Sequence, residues 1–263
     1  MADTQRTIDY GDRGTVIVVP DADALARIAA ETFITTAAEA VSESRQALVA
    51  LSGGSTPKRM GELLATSDYA DRVHWDALQI FWGDERWVPL DDSQSNAGEA
   101  IRTFIEQSPI PDENVHPWET EGTVTPAVCA ERYGREIREV SGVDDGVPSF
   151  DLIFLGMGDD GHTLSLFPGT KAIHDAKSLT IAHFVAKLDT ERVTFGPALA
   201  NAAKSAVFLV GGSGKAEMLH RVLDGEQNVD ELPSQAIRPT DGLLLWLVDE
   251  AAASQLERES SDE

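Results

Sequence analysis

Six short apolar runs, separated by stretches with helical spacing, constrain the fold of this chain more than any other feature. They lie at residues 15–19, 47–51, 78–82, 152–155, 206–210 and 243–248. Rich in Val, Ile, Leu and Phe and lacking polar alternation, each reads as a strand buried on both faces. Helical patterns fall between them at 22–41 after Asp21 as N-cap, and at 57–64, 97–105, 126–140, 197–202 and 215–223. Strand alternating with helix predicts an α/β fold: a three-layer α/β/α sandwich around a mostly parallel sheet. At 263 residues one or two domains fit, and the unbroken alternation favours a single domain over 1–263, with 141–148 as an exposed linker inside it.

In such sheets ligands gather at the carboxyl ends of the strands, and four strand ends carry unusual chemistry. After 47–51 come Ser52, Gly53, Gly54, Ser55 and Thr56, then Pro57 and a helix. Glycines for close approach, hydroxyl donors and a helix amino end together suit a phosphate; the bland reading is a turn with Thr56 as N-cap. It is not a Walker loop, because the spaced Gly-Lys-Ser/Thr is missing. After 78–82 come Gly83, Asp84, Glu85 and Arg86 between Trp82 and Trp87. Arg86 is a candidate to meet an anionic or carbonyl oxygen, with Asp84 or Glu85 holding it in place. After 206–210 the run Gly211-Gly212-Ser213-Gly214-Lys215 opens a helix and reads as a second anion cradle, to which Arg192 upstream adds a guanidinium.

The fourth strand end, 156–169, contains G-x-G-x-x-G, but Asp159 and Asp160 inside it would repel a pyrophosphate, which argues against a dinucleotide site. A better account is that the glycines fold the chain tightly and present Asp160 and His162 to a cleft. Histidine accepts and returns a proton near neutrality, and a neighbouring carboxylate fixes its tautomer.

Charge narrows the partners. The formal net charge is −24, from 45 acidic and 21 basic residues, so nucleic acid and acidic membranes are disfavoured and an anionic substrate needs a local cluster of cations. The acids are scattered apart from a short acidic end at 257–263, so a solvated surface is the default reading and adaptation to high salt the alternative. The single cysteine, Cys129, excludes an intrachain disulfide and a thiolate-rich zinc site, and reads as a small buried hydrophobe. No metal is expected. The first 14 residues lack a basic region followed by an apolar stretch, and no apolar run is long enough to span a bilayer, so a cytoplasmic location is expected. None of these features speaks to oligomeric state.

The motifs taken in order, LSGGSTP at 51–57, WGDERWVP at 82–89 with Ser95-Asn96, LGMGDDGHTLSLFPG at 155–169, RVTF at 192–195, GGSGKA at 211–216, and Pro233-Ser234 before W-x-x-D-x-A at 246–251, resemble the 6-phosphogluconolactonases. The resemblance spans about 49–252 and implies a modified Rossmann-like α/β/α sandwich, related to sugar-phosphate isomerases, that hydrolyses 6-phospho-D-glucono-1,5-lactone without a cofactor. By position it implies that Ser52–Thr56, Arg192 and Lys215 hold phosphate, that His162 is the acid/base group and that Arg86 and Asp84 belong to a substrate-binding segment. Asp160 is assigned the orienting role, because the family leaves the position of Asp159 variable. Leu164 stands where the family often has a smaller residue and is expected to narrow the wall beside His162. A sugar-phosphate isomerase or deaminase of the same fold would carry Asn-Glu-Pro where this chain has Leu166-Phe167-Pro168. The missing carboxylate disfavours that alternative. A non-catalytic sugar-phosphate-binding domain of a regulator would bring a basic helix-turn-helix, for which the acidic amino-terminal segment is unsuited.

Overall fold

The computed structural model describes residues 5–43 and 45–257, so most of the acidic stretch 257–263 lies outside the described residues. All six expected strands form: β2 (Thr15–Val19), β3 (Ala47–Leu51), β4 (Leu78–Trp82), β7 (Leu152–Leu155), β10 (Ser205–Val210) and β11 (Leu243–Asp249). With β1 (Arg6–Asp9) and β6 (Val115–His116) they make an eight-stranded sheet in the order β1-β2-β11-β10-β7-β3-β4-β6. Every pairing is parallel except β1 with β2. Strands β3, β4 and β7 are buried at every residue, as their unbroken apolar runs require.

The helices flank this sheet. Helix α1 (Ala22–Ser42) starts where Asp21 accepts the Ala24 N–H at 2.8 Å, and packs an alanine-rich stripe around Leu25 and Phe33 against β2, β3 and β11. Helix α2 (Ser55–Leu64) begins two residues before the expected Pro57, because Gly54 turns the chain at φ 114 and serves as N-cap; Thr56 lies inside the helix. The short α3 (Ser67–Ala70) follows, then α4 (Asn96–Thr103), which ends before the expected Ile105 because Phe104 leaves helical values. Helix α5 (Pro126–Ser141) has the Thr125 hydroxyl at its amino end and Gly142 at φ 68 closing it. Residues 142–147 are mostly exposed, as expected of the linker. Cys129, buried on α5, has its thiol pushed up to about 11 by desolvation. Helices α6 (Pro197–Ala200), α7 (Ala216–Leu223) and α8 (Glu250–Ala253) complete the set, Lys215 falling in a 3-10 turn ahead of α7 rather than in the helix.

A second sheet was not expected. Strands β5 (Asp84–Arg86), β9 (Thr190–Phe195) and β8 (Thr180–Val185) pair antiparallel in the order β5-β9-β8. The segment 84–86, read as a loop, is therefore a strand, pinned where the Phe195 N–H donates to Gly83 O at 2.7 Å. Helix α5 packs against β8 and β9, and Val193 and Phe195 of β9 join the apolar cluster formed by the strands of the large sheet.

Candidate active site

Because β10, β7, β3 and β4 are consecutive neighbours in a parallel sheet, their carboxyl ends point the same way and the four loops meet. The small sheet closes one side through β5. Between them lies a cleft of two joined lobes, about 380 and 260 Å³, which share Asp84, Arg86, His162 and Leu164 as walls.

His162 is presented by a loop folded back on itself. The Gly158 N–H donates to His162 O at 2.8 Å and the Gly161 N–H to Gly158 O at 3.1 Å. A Cβ on Gly158 would fall 2.0 Å from His162 Nδ1, and Gly161 sits at φ +79, so neither position admits a side chain without strain. Ser234 fastens the turn from outside, its N–H and hydroxyl both donating to Gly161 O at 2.9 Å. Phe167 stacks on the imidazole, with ring centroids 4.2 Å apart.

Asp160 meets His162 Nδ1 at 2.5 Å. A carboxylate there requires Nδ1 to carry the proton, which leaves Nε2 with the lone pair that a base needs. The other Asp160 oxygen accepts from Lys187 Nζ at 2.7 Å. Burial would raise the Asp160 pKa, but the Lys187 ammonium and the histidine outweigh it and hold the carboxyl at about 2. Asp160 is thus ionised wherever His162 can act. Lys187 was not foreseen: it stands on the 3-10 turn Ala186–Leu188 that links β8 to β9, and only the fold brings it to the loop after β7.

Arg86 and Arg192 are direct cross-strand partners on β5 and β9. Like charges so placed are unfavourable without an anion between them. Desolvation and then the Arg86 charge lower the Arg192 pKa. The Arg86 guanidinium donates to Gln94 O at 2.6 Å, and neither Asp84 nor Glu85 is its partner, contrary to the expected hold. Asp84 instead accepts from the Ser165 hydroxyl at 2.7 Å. Glu85 is buried and clamps the start of α4, taking the backbone N–H groups of Asn96 and Ala97 at 2.8 Å. Burial pushes its pKa up, against these hydrogen bonds.

The smaller lobe holds Ser52, Gly53, Gly54, Asn96 and Lys215, and the larger holds Asp160, Lys187 and Arg192. Ser55 and Thr56 line neither. Lys215 is ion-paired with Asp159. Leu164 walls both lobes at φ 53, a conformation uncommon for a non-glycine residue. Among the described residues no group of three or more His, Cys, Asp or Glu side chains is arranged to hold a metal ion.

Over residues 20–246 the chain matches the sequence profile of the glucosamine-6-phosphate isomerases/6-phosphogluconolactonase family. The chain belongs to that family. A 6-phosphogluconolactonase from Synechocystis sp. is 39% identical over 220 residues, covering 83% of this chain and 88% of the relative. Another, from Nostoc sp., is 37% identical over 244 residues, 92% of this chain and 98% of its own. The solved 6-phosphogluconolactonase from Trypanosoma brucei superposes with a TM-score of 0.79 at 27% identity, covering 92% of this chain and 98% of that one. Here Leu166 is buried and Phe167 lies flat on His162, so Asp160 is the one carboxylate on the imidazole among the described residues.

Proposed function

We propose that this protein hydrolyses 6-phospho-D-glucono-1,5-lactone to 6-phosphogluconate in the pentose phosphate pathway, acting in the cytoplasm as one catalytic unit built from the whole α/β chain. The observation that carries the reading is the single carboxylate on His162 Nδ1, which fixes the proton there and leaves Nε2 as the base, with the apolar ring of Phe167 stacked on the imidazole.

Opening the lactone needs water deprotonated, the carbonyl oxygen stabilised as it becomes an oxyanion, and a proton for the departing ring oxygen. His162 Nε2 takes the proton from water as the oxygen attacks C1. The resulting imidazolium is stabilised by Asp160, and it returns the proton to the ring oxygen as the C1–O bond breaks. Arg86, or N–H groups of the 156–161 loop, meets the oxyanion. The phosphate end is held in the smaller lobe by Ser52, Gly53, Gly54 and Lys215, while Arg192, which lines the larger lobe, meets the substrate from the other side. Anchoring the substrate at a distance from C1 converts remote binding energy into orientation.

The test is acid release from freshly made lactone by wild type and His162→Ala, with glucosamine 6-phosphate as a parallel substrate. Removal of the base is expected to lower the lactonase rate by about 10²–10⁴. Equal rates for the two proteins, or turnover of the amino sugar alone, overturn the reading.

A further inference from the structure

The turn that presents His162 carries two adjacent aspartates with different partners. Asp160 is engaged by His162 and Lys187. Asp159 instead accepts from the ammonium of Lys215, the cation assigned above to the phosphate. The two members of this pair belong to different walls: Lys215 lines the smaller lobe and Asp159 the larger, so the pair ties the loop after β7 to the loop after β10. Their backbones are pinned. The Gly161 N–H donates to Gly158 O, which makes Asp159 and Asp160 the central residues of one closed turn. Opposite, the Lys215 N–H donates to Gly212 O at 3.0 Å, and both oxygens of Asp249 accept from the Gly212 N–H, at 3.0 and 2.8 Å. The Asp159 side chain has the freedom to move: it is 86% exposed, against 28% for Lys215.

Among the described residues that line the smaller lobe, Lys215 and Arg86 are the lysine and arginine side chains, so a phosphate held there needs Lys215. A phosphate monoester is close to a dianion at neutral pH. Brought to an ammonium that already holds a carboxylate, it is repelled by that carboxylate. An exposed ion pair contributes little, and water receives an exposed carboxylate at small cost, so the dianion wins the exchange. We propose that Asp159 is an internal stand-in for the substrate's phosphate, occupying Lys215 until the phosphate takes the ammonium over and Asp159 turns out to solvent. The proposal rests on the phosphate site assigned above. It makes Asp159 a specificity residue rather than a catalytic one. Apparent affinity is reduced by the fraction of Lys215 that Asp159 engages, and an anion with a single charge has no electrostatic advantage over the carboxylate it must displace, so the lobe favours dianions.

The test is a double-mutant cycle at neutral pH and low salt. Wild type, Asp159→Asn, Lys215→Ala and the double variant are compared for kcat and KM with freshly made 6-phosphogluconolactone and for competitive inhibition by inorganic phosphate, with thermal unfolding showing that each is folded. Asp159→Asn is expected to lower KM and the phosphate inhibition constant by about two- to sixfold, the change falling on KM rather than kcat, and to alter neither constant once Lys215 is alanine. Constants that rise in Asp159→Asn show that Asp159 supports Lys215 instead of competing for it, and overturn the proposal. So does an equal gain with and without Lys215, which is the general field of one removed charge, and so does no change at all. Wild type that hydrolyses D-glucono-1,5-lactone, which has no phosphate, as well as the phosphorylated lactone overturns the phosphate-site reading; phosphate inhibition that needs Lys215 but ignores Asp159 overturns the exchange alone.

Discussion

Asp160 divides its two oxygens between a histidine and a lysine, and this division governs the response of the site to acid. Its folded pKa of about 2 lies below the ordinary 3.8, with burial opposing the shift and the two cations prevailing. An acid with a depressed folded pKa contributes stability that is fully present above its unfolded value and is lost as pH falls through the folded one. The stability that the Asp160 charge adds over Asp160→Asn should thus be lost as pH falls through about 4 to 2. Urea midpoints read at each pH check this, and a difference that stays level down to pH 2.5 removes the charge coupling. Asp160 does not supply the acid limb of the rate profile.

Lys187 reaches Asp160 only because β8 and β9 carry the turn 186–188 over the loop after β7, and Asp189 at φ 50 completes that turn. The ammonium is exposed, so its contribution is modest, at most about fivefold in kcat. In Lys187→Met kcat should fall within that limit, and Lys187→Arg should restore it; a Lys187→Met rate equal to wild type removes Lys187 from the dyad. The strands of the large sheet were legible because residues such as 47–51 and 152–155 are apolar without interruption. Strands β8 and β9, which read TIAHFV and TERVTF and are partly exposed, and β5, which is wholly charged, lack that mark; β8 and β9 pair locally, and β5 is held by pairing with β9 across about a hundred residues. His162, Asp160 and the Ser52–Gly54 turn were legible from glycines at strand ends. Lys187 and the Asp159–Lys215 pair were not, since no local spacing ties them together, and Asn96 showed only as part of a Ser-Asn motif with no role attached.

At the scale of the molecule, a net charge of −24 means that the folded surface repels itself, while Arg86, Arg192, Lys187 and Lys215 are concentrated around one cleft. Screening should relieve the first and weaken the second. The melting temperature is expected to rise with added KCl over the range in which the Debye length contracts from about 30 to 8 Å, while KM for the phosphorylated lactone rises with it. A melting temperature indifferent to salt would show that the acids are already compensated locally. The sheet order bears on how the molecule comes together. Strand β11, near the end of the described chain, slots in parallel between β2 and β10 rather than adding at an edge. Until it arrives, β2 and β10 each present an apolar strand flank with unpaired N–H and C=O groups, and the amino-terminal hairpin β1–β2 has nothing to join. A chain emerging in order from the ribosome would therefore pass through a long interval with two open, mutually unattached sheet edges, and β11 acts as the keystone that ends its exposure to misassociation.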